Sequence, residues 1–115
     1  MTLRIKRIYE DPALDDGFRI LVDRIWPRGV SKDRAKLDLW LKDVAPTTGL
    51  RQWFHHEEPK WPEFATRYRA ELAGNPAVGT LRDILSAQDQ VTLLYSARDE
   101  EENQAVVLRD YLAVE

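Results

Sequence analysis

The sequence contains no cysteine. That absence excludes disulfides, thiolate metal sites and cysteine nucleophiles together, and with them a small secreted fold held by cross-links. Long apolar runs are also missing, so no segment reads as a membrane span, and the N-terminus shows no charged-then-apolar leader. The expectation is a cytoplasmic protein with no membrane partner. Basic excess is lacking too. A net charge of −3 and a pI near 5.4 leave no broad surface for nucleic acid, although a local basic pocket fits that balance. Neither G-x-G-x-x-G nor a P-loop follows a strand-like run, and no G-x-S-x-G elbow occurs, so dinucleotide, nucleoside-triphosphate and serine-hydrolase fingerprints are absent.

What is present is a globular composition, 43% apolar and 32% charged over 115 residues, enough for one domain (1–115) with its own core. The chain is organised around Gly17 to Gly29. Ile20-Leu21-Val22 is apolar on both alternating faces, as a strand must be when both sides of its sheet are covered. The chemistry then changes within a few positions to Asp23, Arg24 and Arg28, with Trp26, Pro27 and Gly29 among them. Pro27 stiffens this exit and Gly29 permits a sharp turn. A buried strand that ends in a stiff charged loop is where open α/β sheets place ligand sites.

The remaining segments assemble around that strand. Leu3 to Ile8 alternates and carries basic residues, as an edge strand does. The acidic stretch from Glu10 to Gly17 reads as a solvated connection. Ser31 is placed to cap a helical turn through Ala35. The 37–44 segment fits a strand through Leu37, Leu39 and Leu41 but also a helical stripe; a single-sheet domain needs a strand there, so strand is the expectation. Thr47 or Thr48 caps a helix reaching His55, and a second helix opens with Pro62, its Trp61, Phe64, Ala65, Tyr68 and Leu72 forming one apolar stripe. Together they predict a helical hairpin over 47–73. Gly74-Asn75-Pro76 starts a third helix, Val91 to Tyr95 is a second fully apolar strand, and Asp99 with Glu102 reads as the capping pair of the last helix. The four tryptophans read mostly as core. The predicted class is a single three-layer α/β domain, with a central, largely parallel sheet of about four strands flanked by helices.

If the two apolar strands run parallel and adjacent, their C-terminal ends bring two polar loops together. One loop carries Asp23, Arg24, Trp26 and Arg28; the other carries Ser96, Arg98 and Asp99 just before a helix. Arginine forks and helix N–H groups suit phosphate or carboxylate, and Lys42 would extend the basic lining. Trp26 offers a wall for a flat ligand. The expected partner is a small anionic molecule, phosphate-bearing ones included. Were there turnover, Asp23 would be the acid–base group, with the arginines stabilising charge and Ser96 donating a hydrogen bond. The competing reading is a regulatory or protein-interaction module in which the same charged loop serves only architecture. Adjacent His55 and His56 point about 100° apart on a helix, so no metal site is expected.

Ile5-Lys6-Arg7, Leu21 to Gly29 (LVDRIWPRG), Trp40 to Pro46 (WLKDVAP) and Val91 to Tyr95 resemble the YeaO-like domain-of-unknown-function 488 family, from about Leu3 to the last helix. The resemblance implies an α/β domain with a largely parallel sheet and assigns no activity or cofactor. Its pattern also covers Asp43, Asp99 and Asn103, which adds Asn103 to the candidate ligand-binding set. The chain departs from the pattern at Gln104, where relatives often carry histidine, and at Arg98, where they often carry lysine. A proton-transfer role at position 104 therefore does not carry over.

Overall fold

The computed structural model describes residues 2–113. Among them are four strands, β1 (Thr2–Arg7), β2 (Phe18–Leu21), β3 (Leu39–Trp40) and β4 (Gln90–Tyr95). The α-helices are α1 (Lys32–Ala35), α2 (Thr48–Phe54), α3 (Trp61–Ala73), α4 (Pro76–Ala87) and α5 (Gln104–Ala113). The sheet order is β1-β4-β2-β3 and each neighbouring pair is parallel, in agreement with the class read from the sequence.

The two fully apolar strands take the centre because only there are both faces covered. Their alternation sorts the core. Ile20, Val22, Val91, Leu93 and Tyr95 pack on one face against Phe54, Phe64, Tyr68, Leu81 and Leu108 from α2 to α5. Leu21 and Leu94 point the other way, onto Ile8, Val30 and Ala35. The layers are unequal because of the connectivity. The links β1→β2 and β2→β3 step across the sheet in one direction, whereas β3→β4 steps back. Right-handed crossovers therefore send that last link, with α2, α3 and α4, to the opposite face from the others. The thinner layer consists of α1 and the flanking loops.

Capping residues behave as their chemistry dictates. Ser31 Oγ accepts from Arg34 N–H at 3.0 Å, Thr47 Oγ1 from Leu50 N–H at 3.2 Å, and Asn75 Oδ1 from Ala77 N–H at 2.9 Å. Gly17 leads into β2 at φ +66°, and a Cβ there would sit 2.3 Å from the Gln90 carbonyl oxygen.

Four expectations need correction. The 37–44 strand shrinks to Leu39–Trp40: Leu41 leaves extended geometry, and Lys42–Val44 forms a 3₁₀ turn that drives Val44 into the core. The last helix is capped by buried Asn103, whose Oδ1 accepts from Val106 N–H at 3.1 Å. Asp99 instead accepts from the Glu101 and Glu102 N–H groups, each at 2.9 Å, closing the turn before the helix. Trp26, Trp53 and Trp61 pack half-buried against the core, whereas Trp40 is exposed; Trp26 and Trp40 donate to the Val30 and Asp23 carbonyls, and Lys60 and Arg67 lie over Trp53. The acidic connection is not wholly solvated either. Asp16 is 1% exposed and pairs with the equally enclosed Arg19 at 2.5 Å and with Lys6 at 3.1 Å, while Arg19 also donates to the Ala35 carbonyl. That network pins the loop and α1 to the thin face.

Candidate functional site

The chain leaves β2 toward the thin face and leaves β4 toward α5 on the thick face. Between two parallel strands whose exits diverge in this way a crevice opens, the place where open α/β sheets bind ligands. A cavity of about 430 Å3 occupies it, lined by the loop after β2, the Ala45-Pro46 segment, the end of α2, and Ser96, Ala97 and Gln104.

Asp23 lies at its floor, 7% exposed. The ladder runs on past β2, since Val22 N–H donates to the Leu94 carbonyl, and this sets Asp23 beside the end of β4. Its Oδ2 accepts from the Ser96 N–H at 3.0 Å and the Ser96 hydroxyl at 2.6 Å, and its Oδ1 accepts from the Gln104 amide. Burial pushes the Asp23 carboxyl above the usual carboxylate range, although the Ser96 donors, Gln104 and the charge of Arg51 all pull it down. Among the described residues, this carboxylate's hydrogen-bond partners are a hydroxyl, a peptide N–H and an amide. Gln104 supplies a donor that cannot take up a proton.

Arg51, half-buried on α2, also lines the cavity, and its enclosed Nε makes no hydrogen bond. A buried guanidinium N–H without a partner is uncommon, because each unmet donor costs about 1–3 kcal/mol or more for a charged group. Beyond it, Phe54 and Phe64 stack with centroids 4.3 Å apart, and Trp26 meets Trp40 edge-on at 5.3 Å. His55 and His56 both hold left-handed backbone, φ +45° and +54°, at the end of α2. Partial burial lowers the His56 pKa against the pull of Asp99, which favours a neutral imidazole at the rim.

The structure gathers part of the predicted set. Asp23, Arg24, Trp26, Arg28 and Ser96 line the cavity, whereas Lys42, Arg98, Asp99 and Asn103 are not part of its lining. Arg24 is largely engaged, donating from Nε to the Pro46 carbonyl at 3.0 Å and from Nη2 to the Ala45 carbonyl at 3.1 Å. Arg28 is exposed at the mouth. Lys42 lies over the Trp40 ring, Arg98 is exposed, and Asn103 Nδ2 donates to the Asp99 carbonyl. Arg51 and Gln104 were absent from the predicted set. Arg51 sits on a helix far from either polar loop in sequence, and no local pattern sets it apart. Gln104 is marked only by departing from the family pattern.

A family profile described as the inactive DUF488-N3 subclade matches residues 2–115, so the chain belongs to that family. It is similar to uncharacterized protein Rv3073c of Mycobacterium tuberculosis, 44% identical over 110 residues, which is 96% of this chain and 92% of the relative. It is also similar to uncharacterized protein YeaO of Escherichia coli, 42% identical over 112 residues and 97% of each chain. No solved structure matches it.

Proposed function

We propose that this DUF488 family member holds a small anionic molecule in the crevice between β2 and β4, without turning it over. The observation that carries this reading is Arg51, which lines the cavity and whose enclosed Nε makes no hydrogen bond. A bound carboxylate or phosphate would pair with the Arg51 guanidinium, and exposed Arg28 at the mouth would help draw an anion in. Binding without turnover is supported by the company of Asp23. Ser96 and Gln104 occupy both its oxygens, and neither side chain titrates near neutral pH. The description of the subclade as inactive points the same way.

A thermal-shift screen of small anions tests the proposal. Saturation at a hundred times Kd stabilises by about 2.7 kcal/mol, roughly 10 °C or more in a domain of this size. The shift should vanish in Arg51→Gln and shrink in Arg28→Ala, with both variants folded. If no anion shifts the melting and Arg28→Ala unfolds the chain, the charged loop is architecture and the proposal fails.

A further inference from the structure

We infer that the occupant is a monocarboxylate on a flat, ring-bearing body, seated with its carboxylate on Arg51; this inference rests on the anion-binding reading above. Three observations select the head group. Of the described arginines that line the cavity, Arg24 has committed Nε and Nη2 to the Pro46 and Ala45 carbonyls, Arg28 stands in solvent, and Arg51 has an enclosed Nε with no hydrogen bond. A single guanidinium edge is a planar two-pronged donor, matched by the two oxygens of a carboxylate. A phosphate brings more oxygens and nearly a second negative charge, and the buried Asp23 carboxylate, close enough to feel Arg51, opposes that extra charge.

The walls select the body. Phe54 and Phe64 form a stacked aromatic side, and Trp26, Pro27 and Pro46 supply further flat apolar surface. The Trp26 ring is fixed by its 2.7 Å hydrogen bond to the Val30 carbonyl, so this surface exists before any ligand arrives. At about 430 Å3 the cavity lies in the lower part of the range typical of small-molecule sites, room for one or two rings and a short acid.

The test titrates the full chain, by NMR or calorimetry, with 2-naphthoate, 2-naphthamide and 2-naphthyl phosphate. These share a ring system and differ in head group. Naphthoate should bind about tenfold or more tighter than the amide, a difference on the scale of one charge-assisted hydrogen bond. It should also bind more tightly than the phosphate. Arg51→Gln should bring naphthoate down to the level of the amide, whereas Arg51→Lys, which keeps the charge but not the fork, should recover only part of the loss. Amide-proton spectra check that both variants are folded. Tighter Arg51-dependent binding of naphthyl phosphate would overturn the carboxylate inference and leave anion binding standing. Equal binding of all three probes, or none by any, unchanged in Arg51→Gln, would overturn both.

Discussion

Asp23→Asn is the most informative single substitution, because the fold treats the two charge states of this residue differently. An asparagine keeps the shape and mimics the protonated acid. Its Oδ1 can accept from the Ser96 N–H and hydroxyl, and its NH2 can face Gln104, whose amide flips to present oxygen. All partners stay bonded while the buried charge is removed. Burial holds the folded pKa above the unfolded value of about 4. A carboxyl shifted upward binds more protons in the native than in the unfolded chain, so its contribution to stability is full below the unfolded pKa and is lost as pH rises through the folded one. Each unit of elevation is worth on the order of 1 kcal/mol, or roughly 5 °C in melting temperature for a domain of this size. Urea denaturation of both proteins from pH 4 to 8 reads this directly. Asp23→Asn should equal the wild type near pH 4 and exceed it increasingly as pH rises, to a plateau. A variant less stable than the wild type at every pH, on a parallel curve, would show that the Ser96 and Gln104 bonds and Arg51 outweigh burial, and would refute the reasoning.

The second buried aspartate should behave in the opposite way. Burial raises the Asp16 pKa, but the Ala13 N–H, Lys6 and Arg19 outweigh that effect and hold it low. Its stabilisation is therefore present at neutral pH and lost as pH falls below about 4, and Asp16→Asn should cost about 3–5 kcal/mol by stranding Arg19, measured by the same denaturation. Gly17→Ala should cost more than about 2 kcal/mol, since positive φ and the Gln90 carbonyl both oppose a Cβ, and its urea midpoint should fall with an unchanged slope. Tyr68→Phe removes a buried 2.7 Å bond to the Val44 carbonyl and should lose about 1–3 kcal/mol in calorimetry without altering anion binding.

Periodicity made the central strands and the α2 to α4 helices legible, because the strands are apolar on both faces and each helix buries one apolar stripe, with side-chain caps starting α2 and α4. It did not set the length of β3, whose end is decided by Val44 entering the core beneath Tyr68, a contact between distant segments. The site was half legible. Asp23 and Ser96 follow two apolar strands, and parallel neighbours must bring such residues together. Whether a charged loop residue faces the crevice, a carbonyl or solvent depends on partners that no local pattern shows, and so Arg24, Arg98 and Lys42 looked alike in sequence and differ in space. Arg51 is the converse case: an ordinary helix residue, it gains its significance only from the cavity that the fold opens beside it.

The most direct measurement is a crystal structure of the protein purified without a stripping step and never exposed to an added carboxylate or phosphate. The account predicts density for a bound anion against the Arg51 guanidinium, with Asp23 still held by Ser96 and Gln104. Arg51 folded onto Asp23 in a direct ion pair, with only water in the crevice, would contradict it.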